Sequence, residues 1–595
     1  MNKTLVFDIE TDGLDPSVIH IIGIYDYSTN TYTSYDLEEV PKGVDHLNTA
    51  DVLVGHNIIG YDLPVLKKFF PNITFKAQII DTLALARMIY TDIYEIDAKL
   101  IKAGILPKRL MGRHSLEAYG FRLGEQKDDF HTKTDWQKWS KEMSKYCEQD
   151  VITNKKLYEK LMSKDPSEQA INLEMKTTAI LQRQKEYGFL FDVEKAEAFY
   201  LELIGRREEL HKELVEAFGT WVEPKGKPTV PKRNNQNRGI KAGCAYQNIQ
   251  VVEFNPNSRT HIRKRLKAKY NWKPKEFTDK GTPKVDEEVL SQLTEYPEAE
   301  LLTEYLLLEK RIGMLAEGNS AWLKCVHEKD NRIRGSVISS GTVTGRMSHS
   351  NPNIAQVPAV YAPYGKQSRE LFTVPEGKLL VGCDASGLEL RCLAHYMFPY
   401  DKGAYAKEVT EGDIHSHNQK MAGLPTRDNA KTFIYGFLYG AGDEKIGSIV
   451  NGTRTQGKKL REQFLRELPA LDRLQRDVKR VARNRKYLIG LDGRRLKVRS
   501  LHSALNLLLQ SAGAIIMKQA LVLLDETLQE TLRVGIDYEF VANVHDEWQI
   551  ECYPELSEFV GQQAVQAIER AGEVLDFRCP LTGEYKIGRN WAETH

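Results

Sequence analysis

One stretch of the sequence, residues 427–440, limits what this chain can be more than any other. Read as a helix, it places four side chains on one face, four residues apart: Arg427, Lys431, Tyr435 and Tyr439. Two cations followed by two aromatic rings suit a ligand with phosphates at one end and a flat base at the other. A solvated cationic edge beside core tyrosines would explain the same residues, so the stretch alone leaves both interpretations open.

Length and composition set broad limits. A chain of 595 residues predicts two or more domains, because a single core does not grow to that size. The formal net charge of +1 neither requires nor excludes a nucleic-acid partner. Seven scattered cysteines without a CxxC pair argue against a disulfide framework or a zinc site and fit a reducing cytoplasm. We expect no signal peptide and, reading no run of about 18 apolar residues, no membrane span.

Three acidic segments follow one another in the N-terminal part of the chain. A β-prone run leads into Asp8 and Glu10, whose side chains point to the same face of a strand. Asp62 lies within an apolar segment, and Tyr146 and Asp150 lie four residues apart on a predicted helix. Paired carboxylates repel each other unless a cation lies between them, and their oxygens suit magnesium or manganese. Each segment alone could instead be structural.

The middle of the chain predicts helices around a basic segment. Apolar residues at helical spacing predict helices over 174–183 and 193–218. Residues 222–250 are rich in proline, glycine, lysine and arginine, with Glu223 as their only acid, and predict a flexible basic loop. This loop could contact a phosphate backbone or be a plain linker. Beyond it, a basic amphipathic helix over 261–267 and a leucine-rich helix from residue 287 could grip a duplex.

Two segments far apart in the chain each place an acid at the end of a strand. Residues 378–384 form an apolar run that ends in Asp384, with a helix predicted from Leu388. Residues 541–550 predict strand, polar turn, strand, with His-Asp-Glu at the tip and Asp546 at its centre. Structural turns also favour aspartate, but a hairpin of this kind holds acids rigidly at a sheet edge.

Together with the 427–440 helix, these segments resemble the palm and fingers motifs of family A DNA polymerases. The stretches DASGLELR (384–391) and GDIH (412–415) and the ending NWA (590–592) are most similar to the replicative polymerases of T-seven-like phages. The three acidic segments in the N-terminal part of the chain resemble the motifs of the DEDD 3′→5′ exonucleases, in the subclass that has a tyrosine. The resemblance covers nearly the whole chain. It implies an α/β multidomain fold, with an RNase H-like exonuclease domain followed by a right-hand polymerase.

The resemblance also implies domain boundaries and an activity. The boundaries are 1–165 for the exonuclease, 166–334 for a helical thumb with the short basic loop 222–250, 335–390 with 505–595 for the palm, and 391–504 for the fingers. The activity would be template-directed DNA synthesis with 3′→5′ proofreading, in the cytoplasm of an infected bacterial host. Because the first motif begins at Asp8, we expect no 5′-nuclease domain ahead of it.

Residue roles follow from the same resemblance. Both sites would use a two-metal mechanism with Mg²⁺, for which Mn²⁺ could substitute. In the exonuclease, Tyr146 would orient the attacking water, and the metal ligands would be Asp8, Glu10, Asp62 and Asp150. In the polymerase, Asp384 and Asp546 would bridge both metals, and the carbonyl of Ala385 would be a further ligand.

The remaining polymerase roles concern nucleotide and DNA. Lys431 would act as general acid in addition to binding the nucleotide. Glu389 would exclude a 2′-hydroxyl, and Glu547 would support the metal ligands. The implied nucleotide-binding residues are His415, Arg427, Lys431, Tyr435, Glu389 and Ala385. The implied DNA-binding residues, several of them readers of minor-groove acceptors, are Arg346, Tyr439, His502, Asn506, Gln510 and His545.

The chain departs from the phage branch in the thumb. That branch carries a long insertion there, which binds host thioredoxin as a processivity clamp. The stretch between FGTW (218–221) and FNP (254–256) is too short for it, so we expect no thioredoxin clamp. The expected partners are primer–template DNA, dNTPs, a replisome helicase/primase and a single-strand-binding protein.

Two other functions stay open at this point. A single-subunit RNA polymerase shares the paired palm acids and the Lys–Tyr–Gly helix, although Glu389 and the exonuclease motifs favour a DNA polymerase. A non-catalytic DNA-binding scaffold derived from a polymerase is the third reading. All the metal-binding carboxylates are present, so nothing in the sequence favours that reading.

Overall fold

The computed structural model describes residues 3–125, 136–278 and 280–595. The chain divides into two units. The first contains the residues up to 189 together with 334–357 and 373–595, and the second contains 190–333 and 358–372. The first unit includes the helix 168–187, which the sequence grouped with the thumb. The implied domain boundaries stay predictions.

The N-terminal part of the first unit is a five-stranded sheet in the order β3-β2-β1-β4-β5. β1 is antiparallel to β2 and parallel to β4. Leu5, Phe7 and Ile9 of β1 enter one apolar core, and Val6 enters a second core on the face that also carries Asp8 and Glu10. The strands are β1 (Thr4–Thr11), β2 (Ile19–Asp26), β3 (Thr31–Asp36), β4 (Val52–Gly55) and β5 (Gln78–Asp81). The helices are α1 (Val40–Leu47), α2 (Asp62–Phe69), α3 (Thr82–Ile89), α4 (Ile93–Lys102), α5 (Leu116–Leu123), α6 (Lys141–Met162) and then α7 (Glu168–Tyr187).

The helix predicted to carry Tyr146 and Asp150 is α6. It begins after Ser140, whose hydroxyl accepts the Met143 N–H at 3.2 Å. Its buried side includes Met143, Cys147 and Asp150, and it packs against β1 and β2. The 3.6-residue period therefore brings Tyr146 and Asp150 to the strand that carries the first two acids, as predicted.

The second unit is largely helical, as predicted for the thumb. Its strands are β6 (Phe189–Phe191), β7 (Thr220–Thr229), β8 (Tyr246–Glu253), β9 (Val326–His327), β10 (Arg332–Ile333) and β13 (Phe372–Thr373). Its helices are α8 (Val193–Phe218), α9 (Arg259–Tyr270), α10 (Glu287–Ser291), α11 (Pro297–Ile312), α12 (Trp322–Cys325) and α13 (Gly365–Glu370). The single leucine-rich helix predicted from residue 287 is two helices, because Pro297 starts a new one.

The prediction of a flexible loop over residues 222–250 is wrong at both ends of that range. Strands β7 and β8 pair there as an antiparallel hairpin. One face of the hairpin rests on α9, where the Trp221 ring meets His261 at 4.9 Å and Glu223 pairs with Lys264 at 2.9 Å. The prolines of this segment favour a loop in sequence-based prediction. Both strands of a two-stranded hairpin are edge strands, however, and edge strands tolerate proline.

The palm part of the first unit is an antiparallel sheet in the order β17-β18-β14-β19. Its strands are β14 (Leu379–Ala385), β17 (Tyr538–Val544), β18 (Glu547–Cys552) and β19 (Gly583–Gly588). A small hairpin, β11 (Ser336–Ile338) and β12 (Ser348–Ser350), precedes it. The helices α21 (Ala504–Gln529) and α22 (Ser557–Val574) pack on one another, and α22 also packs on β14. Strands β17 and β18, with the turn between them, confirm the strand–turn–strand predicted over 541–550.

Helix α21 corrects one expectation from the sequence. Over the described residues it is long and apolar enough to cross a membrane, with a mean hydropathy of 1.7. However, 78% of that apolar window is buried inside the protein, and the helix packs against α7, α22 and the helix Leu388–Asp401. It also carries the buried charged residues Lys518 and Asp525. The apolar character of α21 is explained by its position at the centre of the largest apolar core.

The fingers part of the first unit is built mainly of helices. They are α14 (Leu388–Asp401), α15 (Ala404–Glu411), α16 (Ile414–Ala422), α17 (Arg427–Leu438), α18 (Asp443–Ser448), α19 (Arg454–Glu467) and α20 (Pro469–Arg485), followed by the hairpin β15 (Tyr487–Ile489) and β16 (Arg495–Lys497). Phe433, Ile434 and Phe437 bury one side of α17 in the shared core. The opposite side of α17 is left facing outward.

Two candidate active sites

The first site lies where β1 meets α6. Ligand atoms of Asp8, Glu10 and Cys147 lie within 4.8 Å of one another. Asp62, the first residue of α2, joins them because its Oδ1 accepts the Ile9 N–H at 3.2 Å. The β-strand period and the start of α2 thus bring three predicted carboxylates to one place. Cys147 was not predicted there.

Burial controls the charge of Asp62. Burial of this side chain, with a smaller contribution from Asp81, raises its pKa to about 7. Asp81 was missed by the sequence reasoning. Its carboxylate accepts the backbone N–H groups of Asn57 at 2.9 Å and Ile59 at 3.1 Å, which fixes the loop leading to Asp62. An acid directly before the helix-starting Thr82 was the available signal for such a role.

Tyr146 and Asp150 lie beside these acids. Burial raises the pKa of the Tyr146 hydroxyl, and Asp150, Glu10 and Asp8 raise it further, in that order. A cavity of about 1380 Å³ opens here and is lined by Asp8 and Asp150. The cavity wall also includes arginines of the N-terminal part, namely Arg87, Arg109 and Arg113, and residues from later segments of the chain, among them Ser340, Thr342 and Arg499.

The second site lies at the end of the palm sheet. The Ala385 N–H donates to the Asp546 carbonyl at 3.1 Å, and Asp384 stands opposite Glu547 on β18 and Glu584 on β19. The Asp384 side chain is partly accessible, and desolvation by its surroundings, followed by repulsion from Asp546, raises its pKa to about 7. Burial and Glu389 raise the pKa of Asp546 to about 6. The two predicted metal-binding acids are thus adjacent.

Glu547, the residue after Asp546, is held in place by several hydrogen bonds. It is buried and accepts hydrogen bonds from the Trp591 indole and, at 2.6 Å, from the Gln549 amide. The imidazole of His595 lies 3.2 Å from its second oxygen. The sequence reasoning gave Glu547 a supporting role but missed His595, because the contact joins residues far apart in the chain.

Helix α17 presents the predicted stripe. The Thr426 hydroxyl caps it by accepting the Asn429 N–H at 3.0 Å. Lys431 is exposed, and the rings of Tyr435 and Tyr439 stack at 6.5 Å with an interplanar angle of 22°. Tyr435 also lies 6.4 Å from the His415 ring. Burial raises the pKa of Tyr435, and Glu389 and Asp546 add to the rise, which places this ring next to the palm acids.

Glu389 links the stripe to the palm. Its Oε1 accepts the Tyr439 hydroxyl at 2.9 Å and lies 3.6 Å from the Arg346 guanidinium. His545 belongs to the same group. Burial lowers its pKa, and Arg346 lowers it further. Its backbone has φ +56°, as the tight turn ahead of Asp546 requires.

Two other predicted DNA contacts lie at the end of α17. His502 and Asn506 line a cavity of about 440 Å³ at the end of α17, together with Gly440, Arg454 and Lys479. Gln510 lies one turn further along α21. Of the predicted minor-groove readers, Arg346 therefore lies beside Glu389, whereas the other three lie on the first turns of α21 or just before it.

Comparison with known proteins decides the family. Residues 234–593 match the model of DNA polymerase family A, and residues 5–162 match that of the RNase H superfamily. The chain belongs to DNA polymerase family A. This membership removes the single-subunit RNA polymerase from consideration and agrees with the resemblance read from the motifs.

Relatives extend this similarity over the whole polymerase. The DNA-directed DNA polymerase of Escherichia phage T7 is 40% identical over 705 aligned positions, covering 99% of this chain and 100% of that protein. The polymerase of Enterobacteria phage T3 is also 40% identical, with the same coverage. The POL domain of Pol1 from M. smegmatis, solved in complex with DNA primer-template and dNTP, has a TM-score of 0.74 at 18% identity, covering 100% of this chain and 96% of that one.

These findings confirm the α/β multidomain fold with an RNase H-like domain and a family A polymerase domain. The protein is a phage-like DNA-directed DNA polymerase with an RNase H-like nuclease domain. The alignment with the T7 polymerase runs over 705 positions, whereas this chain has 595 residues, so that relative contains segments which this chain lacks.

Proposed function

We propose that this polymerase replicates phage DNA on primer–template DNA with dNTPs and proofreads through a 3′→5′ exonuclease, in the cytoplasm of an infected bacterium. Both sites would work with two divalent cations. The observation that carries this proposal is the backbone bond from Ala385 to Asp546, which holds the paired palm acids beside the stripe of α17. Replisome helicase/primase and single-strand-binding protein are the proposed partners.

The donor sets of both sites fit Mg²⁺, with Mn²⁺ as a substitute. Their atoms are hard oxygens, and carboxylates that repel one another gain from a cation placed between them. Bound there, two cations would activate the attacking oxygen and stabilise the leaving one. The residues that would hold them are Asp384, Asp546 and the Ala385 carbonyl in the palm, and Asp8, Glu10, Asp62 and Asp150 in the exonuclease.

The outward side of α17 would bind the incoming nucleotide. His415, Arg427 and Lys431 would hold the β- and γ-phosphates, and Lys431 would donate a proton to the pyrophosphate leaving group. Tyr435 would pack against sugar and base, because its ring lies between the cations and the palm acids. Glu389 would occupy the space of a 2′-hydroxyl, since its carboxylate is already held by Tyr439.

The DNA would be contacted from several sides. The readers of minor-groove acceptors, which lie alike in all correct pairs, would be Arg346, His502, Asn506 and Gln510. Asn506 and Gln510 lie on α21, and His502 lies just before it. Tyr439 would stack on the template side, and His545 would contact the DNA beside the palm acids. The neighbour from M. smegmatis, solved with primer-template and dNTP, supports the same use of this fold.

The exonuclease site would remove the last nucleotide of a frayed 3′ end. Tyr146 would orient the attacking water, because its hydroxyl lies beside the acids of β1 and α6. The cavity that contains Asp8 and Asp150 would take the single strand, with Arg109 and Arg113 near its phosphates. The basic wall suits a polyanion.

Excision from matched and mismatched primers tests the proofreading part. The wild-type protein with Mg²⁺ and no dNTP should shorten a mismatched primer faster than a matched one, because a mismatched end frays more readily. Tyr146→Phe should slow excision without altering extension. Lys42→Gln, on α1 and outside this cavity, removes an exposed charge paired with Glu39 at 3.0 Å and is the control, which should leave both excision and extension unchanged. Equal excision by wild type and an Asp8→Ala variant would contradict the exonuclease assignment.

A further inference from the structure

Asp413 joins the first turns of two neighbouring helices beside the proposed nucleotide site. Its carboxylate caps α16 by accepting the backbone N–H of His415 at 3.2 Å and both the N–H and the hydroxyl of Ser416, at 3.3 and 2.7 Å. The same carboxylate accepts from Arg427, the first residue of α17, through Nε at 2.9 Å and Nη2 at 3.1 Å. One side chain therefore fixes the starts of α16 and α17 to each other.

This two-point contact between the Asp413 carboxylate and Nε and Nη2 of Arg427, called the fork below, uses one edge of the Arg427 guanidinium. Arginine presents five N–H donors in a plane, so Nη1 and the second hydrogen of Nη2 point away from Asp413. The Arg427 side chain remains 52% exposed, which leaves that second edge accessible. A free arginine would sample many rotamers, and binding a ligand would then cost the entropy of ordering it. The fork holds Arg427 in one orientation before any ligand arrives.

The surroundings of Arg427 favour an anion of several charges. The His415 backbone N–H and Arg427 both donate to the Asp413 carboxylate, and Lys431 follows one turn along α17, so the three residues share one region. Burial lowers the pKa of His415, and Arg427 and Lys431 lower it further. The N-terminal ends of α16 and α17 add their partial positive charge to the same region. Asp413 is the acid that both helix ends share.

We propose that Asp413 is a positioning residue for triphosphate binding, which keeps one edge of Arg427 turned toward the phosphates. This inference rests on the proposed role of Arg427 in holding the β- and γ-phosphates. Asp413 itself does not touch the nucleotide, so its whole effect passes through Arg427. Losing it weakens binding in ground state and transition state alike and raises the KM for dNTP, with kcat little changed.

Asp413→Asn separates this role from helix capping. Asparagine caps a helix as well as aspartate does, but its amide offers Arg427 a single neutral acceptor in place of two charged oxygens. Single-nucleotide incorporation on a primer–template gives KM and kcat for Asp413→Asn, Arg427→Ala and the double variant. Each single variant raises KM by about tenfold, the size expected for one charge-assisted hydrogen bond. The double variant is no worse than Arg427→Ala alone, because both changes remove the same contact.

A second fork on the protein surface supplies the matched control. Arg533 donates Nε at 3.0 Å and Nη2 at 2.7 Å to Asp537, outside both candidate sites. Asp537→Asn leaves KM unchanged. Asp413→Ser, a second capping variant, repeats the Asp413→Asn result if the fork is what matters.

The outcomes separate the inference from the function on which it rests. If Arg427→Ala raises KM while Asp413→Asn and Asp413→Ser leave it unchanged or lower it, Asp413 does not position Arg427. Additive effects in the double variant would overturn the inference equally, since they would show that Asp413 acts without Arg427. If Arg427→Ala itself leaves KM unchanged, the proposed phosphate-binding role of Arg427 fails instead.

Discussion

The backbone N–H of Ala385 donates to the carbonyl of Asp546 at 3.1 Å, and this bond ties the end of β14 to the turn between β17 and β18. Asp384 directly precedes Ala385, so the bond keeps the two palm acids side by side. Burial and then repulsion from Asp546 raise the pKa of Asp384 to about 7, and burial and then Glu389 raise that of Asp546 to about 6. The protein thus holds two carboxylates together at a cost to its own stability.

Asp384→Asn should stabilise the metal-free protein at high pH. The folded-state pKa of Asp384 is about 7 and the ordinary value is 3.8, so the folded chain binds the proton more tightly. The cost of its charge is therefore absent below pH 3.8, grows up to about pH 7 and is complete above it. In EDTA the variant should have a higher Tm than wild type at pH 8 and a similar Tm at pH 4. A lower Tm at pH 8 would contradict the repulsion inferred here.

Glu174→Gln should destabilise the protein strongly. Glu174 is fully buried on α7, and it accepts from Arg494 at 2.7 Å and from the buried Lys518. Removing one partner of a buried ionic network leaves charge uncompensated and costs about 3–5 kcal/mol. Lys518 and Arg494 lower the Glu174 pKa to about 2 against the raising effect of burial, so its charge stabilises the fold above about pH 4.5 and this contribution is lost as pH falls toward 2.

The difference in Tm between wild type and Glu174→Gln should accordingly be full at pH 7 and shrink below about pH 4.5. Glu526→Gln is the control, because Glu526 pairs with Lys176 at 2.6 Å while both side chains are about half exposed. Exposed pairs contribute about 0–1 kcal/mol, so that variant should melt close to wild type. Equal losses in the two variants would mean that burial of the Glu174 network contributes nothing.

Tyr435 should make the enzyme tolerant of chain terminators. Its half-buried hydroxyl lies next to the palm acids, where it can replace the contacts of a missing 3′-hydroxyl. Wild type should use ddNTPs nearly as well as dNTPs, and Tyr435→Phe should discriminate against ddNTPs by about tenfold or more, the value of a lost hydrogen bond to a charged group. Tyr439→Phe, one turn further on, should keep the tolerance. Strong discrimination by wild type that Tyr435→Phe leaves unaltered would show that the assigned role is wrong.

The short β7–β8 hairpin should contact DNA without thioredoxin. Adding thioredoxin should leave the product length on a primed single-stranded template unchanged. Replacing Lys225, Lys227 and Arg233 by glutamine should shorten the products and flatten the salt dependence of DNA binding, because fewer counterions are released. Lys458→Gln, on α19 and paired with Glu462, is the control for loss of a surface charge. A jump in product length on addition of thioredoxin would contradict this account.

Local patterns predicted much of the two sites. The period of two in β1 predicted that Asp8 and Glu10 share a face, and the helical period predicted the stripe of α17 and the pairing of Tyr146 with Asp150. These relations depend only on residues close in sequence. Asp413 was read as part of a motif, but its fork to Arg427 depends on how two helices pack.

What sequence reasoning missed depends on contacts between distant residues. His595 reaches Glu547 only because the chain end folds back along the palm sheet, and Asp81 acts through a loop 22–24 residues earlier. The hairpin of β7 and β8 could not be predicted from composition, because it depends on the packing of Trp221 against His261 of α9. The apolar run of α21 contains the charged residues Lys518 and Asp525, whose burial only the fold explains.

We propose that this one chain contains two independent active sites, and comparing Asp384→Ala with Asp8→Ala on one primer–template in Mg²⁺ tests this directly. Asp384→Ala should fail to extend the primer with dNTPs but still shorten its 3′ end, and Asp8→Ala should extend normally and shorten nothing. If Asp384→Ala extends the primer, or if Asp8→Ala still excises the 3′ end at the wild-type rate, the assignment of that site is contradicted.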